Sequence, residues 1–246
     1  NEETKTILNR YSQHKNIQIS FMDKNKGAAF CRNFALGLSK SEYVAFLDSD
    51  DEWLPEKLEK QMCSLEENPD FLFCHTQEIW VRNGRRVNAM NKHAKYGGDI
   101  FAHCLPLCCV SPSSVVIHRK IFDTVGDFDE SLPACEDYDL WLRICSRYHV
   151  LFVEEALLTK YGGHDDQLSR KHWGMDRFRI KALEKIVNSS HTSPSQRKLA
   201  LETLITKLRI FLLGAKKRGR DDDLTRAYEM QVQHWEKFTS EVELDA

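Results

Sequence analysis

The sequence predicts an α/β protein in which a mostly parallel, Rossmann-like sheet is followed by a helical extension. Three observations support this fold class. Short apolar runs alternate with amphipathic helical segments, the run over 43–47 is apolar throughout, and the chain has a helical character from residue 173 onward. Alternating strands and helices are typical of parallel sheets with right-handed crossovers, whose covered strands are continuously apolar. We therefore predict a sheet-containing domain over 1–172 and a helical region over 173–246.

The first predicted elements alternate between helix and strand. They are a helix over 3–14, a strand over 17–22, a helix over 28–39, a strand over 42–48, a helix beginning at Pro55 and a strand over 71–81. Pro suits the first turn of a helix, and the spacing of Leu58, Met62 and Leu65 predicts that they form the inner stripe of that helix. Asn83-Gly84 then predicts a hairpin turn.

The second half begins with an irregular stretch over 90–110 that includes a short apolar helix around 100–107. The later predicted elements are a strand over 113–119, a helix from Lys120 to a glycine-bearing turn, a helix over 136–148, and strands over 150–155 and 156–162. Ser193-Pro194-Ser195-Gln196 is a capping box with Pro at the first helical position, which predicts a helix start. The apolar stripe of that helix consists of Leu201, Leu204, Ile205, Leu208 and Leu212.

The composition excludes several classes of protein. The chain has 246 residues, of which 41% are hydrophobic and 29% are charged, and its net charge of −2 gives no reason to expect nucleic acid as a partner. No stretch approaches the ~18 consecutive apolar residues of a membrane span. His103, Cys104, Cys108 and Cys109 lack the paired C-x-x-C spacing of a zinc site. We interpret the eight cysteines as reduced structural thiols, which favours a cytoplasmic location.

An acidic cluster follows the apolar run of the 42–48 strand. Asp48, Asp50 and Asp51 are separated only by Ser49, and carboxylates this close repel one another unless a positive charge lies nearby. Ligands of open parallel sheets bind outside the carboxyl ends of the strands. Mg²⁺ or Mn²⁺ prefers such carboxylates together with phosphate oxygens. The cluster therefore predicts a metal that bridges to a diphosphate, and the alternative is a solvated turn that caps the next helix.

Two helix starts supply further candidate residues. Gly27 allows close approach of the backbone to a ligand, and Arg32 can reach a phosphate or a base edge, although it is equally well explained as a surface residue. In the 136–148 helix, Asp137 lies on the inward face beside Glu136, which makes it a candidate general base; the alternative is a helix N-cap. Asp139 and Arg143 have the spacing of an ion pair.

The segment after the last predicted strand contains His164, followed by Asp165, Asp166 and Gln167. His164 can add a metal ligand or close over a substrate, whereas a lone histidine is more often structural.

Three segments together resemble the family 2 glycosyltransferases, which have the GT-A fold and use nucleotide-diphospho-sugar donors. They are KNKGAAFCRNFALGLSKSEYVAFLDSDDEW, SPSSVVIHRKIFDTVGDFDESLPACEDYDLWLR and YGGHDDQLSR, in family order between about residue 15 and residue 170. The resemblance implies that the 1–172 domain transfers a sugar with inversion to a saccharide or lipid-linked acceptor, in polysaccharide or cell-envelope glycan synthesis.

The resemblance also assigns roles to individual positions. It implies that Asp50 and Asp51 engage the donor ribose and the Mg²⁺ or Mn²⁺ ion, and that Asp48 begins this D-x-D element. Arg32 would lie near the nucleotide, and Asp137 of the Glu136-Asp137 pair would be the base that deprotonates the acceptor hydroxyl. Ser113 and Ser114 would border the sugar or acceptor pocket, and Gly27 stays a donor-binding candidate from its place at a helix start.

The start of the chain departs from the family pattern. Family members begin with a strand, a turn and a second strand whose acidic end binds the nucleotide base, whereas NEETKTILNRY resembles the helix that follows this unit. We therefore expect several tens of residues upstream of Asn1 in the natural protein.

Two other functions and two roles for the helical region stay open. One alternative is a non-catalytic nucleotide-sugar or carbohydrate-binding module, and the other is a phosphatase that uses the first Asp of D-x-D as its nucleophile. The C-terminal helices would pack on the catalytic domain or on a second copy of the chain. LRIFLLGAKKRGR alternatively suits peripheral contact with an anionic bilayer at the inner face of the membrane.

Overall fold

A curled six-stranded sheet and a group of C-terminal helices make up the described part of the chain. The computed structural model describes residues 2–88, 90–163, 172 and 174–244. The strands are β1 (Tyr43–Ala45), β2 (Asp51–Trp53), β3 (Phe73–Arg82), β4 (Arg85–Val87), β5 (Val116–His118) and β6 (Leu151–Gly162). The helices are α1 (Glu2–Asn9), α2 (Gly27–Leu38), α3 (Lys57–Glu67), α4 (Phe101–Cys104), α5 (Lys120–Val125), α6 (Glu136–Cys145), α7 (Asp176–Val187), α8 (Pro194–Lys217) and α9 (Asp223–Leu244).

The strand directions correct the prediction of a mostly parallel sheet. The strands lie in the order β1-β5-β3-β6-β2, with β4 paired to β3. Of the five pairings in the described residues, β3–β6 is parallel and the other four are antiparallel. A continuously apolar run indicates that both faces of a strand are covered, but it does not determine the direction of the neighbouring strands. The hairpin predicted at Asn83-Gly84 is confirmed, because these residues join β3 to β4 with φ of 50° and 72°.

The segment 17–22, predicted as a strand, forms no ladder with any described strand. Its apolar side chains stay accessible, with Ile17 43% and Phe21 54% exposed. A strand needs a partner for its backbone hydrogen bonds, so an apolar sequence alone does not create one. The strand predicted over 42–48 is also shorter than expected, because only Tyr43–Ala45 pairs with β5.

Helix α3 turns a different face inward from the one predicted. Leu65 is buried as expected, but Leu58 is 42% exposed, and the other fully buried positions are Lys57 and Gln61. The Lys57 ammonium donates to Gln61 Oε1 at 2.6 Å and lies 4.4 Å from the centroid of the Trp53 ring. Met62 is partly buried against the cluster that contains Leu65, so Leu58 is the one residue of the predicted stripe that turns outward, and the inward face is shifted toward the polar pair.

Strand β6 is one element rather than the two strands predicted over 150–155 and 156–162. Its parallel ladder with β3 continues past two register shifts, between Thr76 and Gln77 and between Gln77 and Glu78. Glu154 and Glu155 lie in the first irregularity, where charged residues interrupt the apolar pattern. The strand therefore bends without ending, and it reaches β2 at its far end.

Helix α6 lies in the main core. Its Leu140, Trp141 and Ile144 are almost fully buried, and the Trp141 ring stacks on Phe73 of β3 with the ring centroids 5.3 Å apart. The predicted pair of Asp139 and Arg143 is confirmed, since Arg143 donates to the buried Asp139 Oδ2 through Nε at 2.9 Å and through Nη2 at 2.8 Å. This packing fixes the first turn of α6, which contains Glu136 and Asp137.

The C-terminal helices confirm the local predictions made for them. Ser193 Oγ accepts from the Gln196 backbone N–H at 3.2 Å, and Gln196 Oε1 accepts from the Ser193 N–H at 3.1 Å, which completes the capping box. The predicted stripe of α8 packs against α7 and α9, with Leu204 and Leu208 fully buried. Among the described helices, none combines the length and the apolar character that a bilayer crossing requires.

Candidate active site

Arg32 of α2 connects the acidic cluster to the start of α6. Its Nη1 donates to Glu136 Oε1 at 2.7 Å, and its Nη2 donates to Asp48 Oδ1 at 2.6 Å. The guanidinium also lies 5.2 Å from the centroid of the Phe128 ring. One cation thus pairs with the carboxylates of Asp48 and Glu136, which are 88 residues apart in the chain. Arg32 is therefore an ion-paired residue of the site, and the predicted contact with the nucleotide stays a prediction.

Glu136 and Asp137 occupy different environments although they are adjacent. Glu136 is 4% exposed, and burial followed by the charge of Asp137 raises its pKa, while Arg32 opposes this shift. Asp137 is half-buried; its Oδ1 accepts from the Tyr138 backbone N–H at 2.7 Å, and its Oδ2 lies 3.4 Å from the Cys108 thiol. The N-cap position belongs to Cys135, so Asp137 does not cap the helix. Asp137 is thus the member of the pair that solvent reaches.

The acidic cluster has the composition of a hard-cation site. One carboxylate oxygen from each of Asp48, Asp50 and Asp51 lies within 4.8 Å of the others. Asp51 Oδ2 is buried without a hydrogen-bond partner among the described residues, and burial raises the pKa of Asp51 to about 6. An unpartnered buried carboxylate oxygen beside two other carboxylates fits a divalent cation, which would supply the missing positive charge. His164, the remaining predicted ligand, lies outside the described residues.

The turn Pro112–Ser114 lies beside the cluster and is held from two sides. Ser113 Oγ accepts from the Asp48 backbone N–H at 3.0 Å, and the Ser113 carbonyl accepts from Trp53 Nε1 at 2.7 Å. The Ser114 carbonyl accepts from the buried Gln61 amide at 3.0 Å. Both predicted serines are therefore close to the D-x-D element, Ser113 by direct contact and Ser114 as part of the support beneath it.

Gly27 begins α2 at the edge of a cavity of about 670 Å³. Its φ of +86° is in the left-handed region, and its N–H donates to Asn25 Oδ1 at 2.9 Å. The cavity also borders Lys24 and Lys26, so two cationic side chains accompany the start of the helix. This arrangement agrees with an anion-binding role for the helix start, which remains a prediction.

Two residues of the site were missed by the sequence predictions. Lys160 of β6 lies directly opposite Asp51 in the β2–β6 ladder, and its ammonium donates to Ser111 Oγ at 3.0 Å. A lysine among the apolar residues of a predicted buried strand was a signal that could have identified it. Cys108 was interpreted only as a structural thiol, and its contact with Asp137 has no counterpart in the local sequence pattern.

Comparison with known proteins identifies related chains. The family model described as "Glycosyltransferase like family 2" matches residues 1–185. An uncharacterised glycosyltransferase of Rickettsia bellii is 32% identical over 147 residues, which are 59% of this chain and 21% of that protein. Escherichia coli WfaP, a UDP-Glc:alpha-D-GlcNAc-diphosphoundecaprenol beta-1,3-glucosyltransferase, is 32% identical over 154 residues, which are 59% of this chain and 55% of WfaP. The chain thus spans less than two thirds of the length of these relatives.

Solved structures confirm the predicted fold class. S. aureus TarS in complex with UDP-GlcNAc has a TM-score of 0.66 at 19% identity, over 82% of this chain and 59% of TarS. The mannosyltransferase PcManGT from Pyrobaculum calidifontis, in complex with GDP-Man and Mn²⁺, has a TM-score of 0.53 at 14% identity, over 96% of this chain and 72% of that one. The described residues therefore have the GT-A fold, with a helical C-terminal part.

Proposed function

The chain belongs to the glycosyltransferase family 2-like proteins, and we propose that it transfers a sugar from a nucleotide-diphosphate donor to an acceptor hydroxyl with inversion. Among the relatives, WfaP is a glucosyltransferase that uses UDP-Glc and a diphosphoundecaprenol-linked GlcNAc, and AmsE of Erwinia amylovora is an amylovoran biosynthesis glycosyltransferase. We extend their setting to this chain, with a saccharide or lipid-linked acceptor and a reaction on the cytoplasmic side of the membrane.

The Arg32 bridge is the single observation on which this function depends most. Because one guanidinium contacts both Asp48 and Glu136, the D-x-D element and the Glu136-Asp137 pair lie at one place in the fold. A donor bound through its diphosphate at the first element would present its sugar near the second. A transferase needs this proximity, because the base must reach an acceptor hydroxyl beside the donor sugar.

Asp137 is the candidate base. Its carboxylate is half-buried, it is fixed by the Tyr138 N–H, and it adjoins a Glu136 whose charge is already paired with Arg32. Asp137 would accept the proton of the acceptor hydroxyl while that oxygen attacks the anomeric carbon from the face opposite the diphosphate. This single displacement needs no covalent intermediate.

Asp48, Asp50 and Asp51 would hold the divalent cation, Mg²⁺ or Mn²⁺. A cation bound there stabilises negative charge on the departing diphosphate. The Mn²⁺ in the PcManGT complex supports this assignment by similarity of fold. Ser113 fixes the backbone of Asp48 and so positions the first of these carboxylates.

Replacement of the base tests the proposal. With UDP- and GDP-sugars and Mn²⁺, we expect Asp137→Asn to reduce donor hydrolysis and transfer by at least about 100-fold, because the amide cannot accept the proton. Binding of UDP or GDP, measured by calorimetry, should stay within about twofold of the wild type. The matched control is Asp123→Asn, an exposed acid in α5, which should change neither quantity.

Two outcomes would contradict the proposal. A wild-type protein that binds UDP or GDP but never turns over a donor would be a binding module. Hydrolysis of a generic aryl phosphate that depends on Asp48 would instead support the phosphatase.

A further inference from the structure

Lys160 is a partly buried cation between the two acidic centres of the site. In the antiparallel β2–β6 ladder it is paired with Asp51, and side chains directly opposite each other in such a pair lie on the same face of the sheet. Its ammonium donates to Ser111 Oγ at 3.0 Å, next to the turn that contains Ser113. The backbone N–H of the next residue, Tyr161, donates to Asp51 Oδ1 at 3.3 Å. The end of β6 therefore contacts the acidic cluster through the β2–β6 ladder and through the hydrogen bond from Tyr161 to Asp51.

The groups around Lys160 determine how its charge acts. Glu78 faces it, but the Glu78 carboxylate is itself paired with Lys95 at 3.3 Å, and both of these side chains are almost fully buried. Burial lowers the pKa of Lys160, yet the negative charges of Glu78, Asp51 and Asp137 outweigh burial and raise it, so the ammonium stays charged. Glu78 is the largest of these negative charges, and Lys95 also pairs with it; the charge of Lys160 acts in addition on Asp51 and Asp137.

The formal charge of the site shows what this cation changes. Arg32 and Lys160 are its two cations in the described residues. Its acids are Asp48, Asp50, Asp51, Glu136 and Asp137. The formal total is −3, which a divalent cation brings to −1, close to neutral, before a diphosphate arrives. Without Lys160 the corresponding totals are −4 and −2, so a diphosphate would approach a site that repels it more strongly.

We propose that Lys160 is a charge-setting, positioning residue of the transfer site, which opposes binding of the divalent cation alone and favours binding of the cation together with a nucleoside diphosphate. This inference rests on the proposed function and adds a residue to it. Lys160 is paired with Asp51 in the β2–β6 ladder, and its positive charge therefore opposes a lone cation at the Asp51 carboxylate. Once a diphosphate is present, the same positive charge lowers the repulsion between the added phosphate oxygens and the carboxylates of the site.

A crossed pair of binding measurements on Lys160→Met tests this role. Mn²⁺ alone, followed by the electron paramagnetic resonance signal of the free ion, should bind about fivefold more tightly than to the wild type, because one positive charge has been removed beside it. UDP or GDP, whichever the wild type binds more tightly, should bind about tenfold more weakly in saturating Mn²⁺ when measured by calorimetry. A substitution that only disorders the site would weaken the binding of both ligands.

Three further variants separate charge from structure. Lys160→Gln keeps a donor for Ser111 but loses the charge, so it should show the same crossed result. Lys160→Arg keeps the charge and should resemble the wild type within about threefold. Lys60→Met removes a lysine that pairs with Glu56 and Glu155 outside the site, and it should change neither affinity.

The possible results are all decisive. In Lys160→Met and Lys160→Gln, Mn²⁺ binding that is unchanged or weaker, or nucleotide binding that is unchanged or tighter, would overturn the role of Lys160 while leaving the proposed function intact. A wild-type protein that binds neither UDP nor GDP in Mn²⁺ would overturn the proposed function, and the inference with it.

Discussion

The transfer site and the C-terminal helices use charged residues in opposite ways. In the site, Arg32, Glu136 and Asp51 are buried or partly buried. Arg32 pairs with Asp48 at 2.6 Å and with Glu136 at 2.7 Å. In the helices, charged side chains such as Arg209 and Glu236 pair at the surface, while apolar stripes fill the interior. Buried charge costs desolvation, so its presence in one region indicates a use other than stability. The C-terminal helices also bury a charged side chain, Lys207, which pairs with Asp176, but pairs such as Arg209–Glu236 lie at the surface.

Removal of the Arg32 bridge should have the largest effect on stability. Arg32→Met leaves Glu136 and Asp48 without their counterion, and breaking a buried pair from one side costs roughly 3–5 kcal/mol in the free energy of unfolding. Urea denaturation followed by circular dichroism measures this loss. Its counterpart, Arg209→Met, removes a surface pair between α8 and α9 and should cost about 0–1 kcal/mol. Equal losses in the two variants would remove the contrast between the two regions.

Titration of Asp51 should make the stability of the protein depend on pH. Its pKa is raised from 3.8 to about 6 by burial, so the folded protein retains a proton that the unfolded chain releases between these values. The resulting stabilisation is complete below about pH 3.8 and is lost as the pH rises through about 6. After allowance for solvent screening, we expect the free energy of unfolding to fall by about 1 kcal/mol over this pH range.

Asp51→Asn isolates this contribution, because the amide does not titrate. Between pH 4 and pH 7 the free energy of unfolding of the wild type should fall by about 1 kcal/mol relative to that of the variant. A difference that stays constant over this range would show that Asp51 titrates normally.

Loss of the α8 cap should have an effect no larger than that of the titration of Asp51. Ser193→Ala removes the acceptor for the Gln196 N–H and should lower the free energy of unfolding by about 1 kcal/mol. Ser195→Ala, two residues later, is the matched control and should lower the free energy of unfolding by less than Ser193→Ala does. Neither change should alter nucleotide binding, and a loss of binding would show that the helices and the site are coupled.

Local spacing predicted those features that depend on neighbours in sequence. The capping box at Ser193, the Asp139–Arg143 pair and the Asn83-Gly84 hairpin were all confirmed, since each is decided within a few residues. The apolar stripe of α8 was confirmed for the same reason. The D-x-D cluster was also recognised from its position after an apolar run, and its three carboxylates do converge.

Features that depend on distant partners were missed or wrong. The direction of the strands depends on which segments pair, and the inward face of α3 depends on a Lys57–Gln61 pair that no apolar periodicity reveals. The position of Arg32 beside a nucleotide stays a prediction, but its two ion pairs, with residues 16 and 104 positions away, were not predicted. The contribution of Lys160 depends on the register of β6 against β2, which the bend at Glu154 makes impossible to count from sequence.

The position of Trp53 makes the site observable by light. Its indole N–H is bound to the Ser113 carbonyl, its ring lies against the Lys57 ammonium, and it is two residues from Asp51 in the same short strand. Indole emission shifts with the electric field around the ring, so a cation arriving at the aspartates changes the colour and intensity of this fluorophore. Four other tryptophans contribute background, and a Trp53→Phe variant subtracts it. The intrinsic fluorescence of Trp53 therefore reports occupancy of the site, which can be followed in real time without a label.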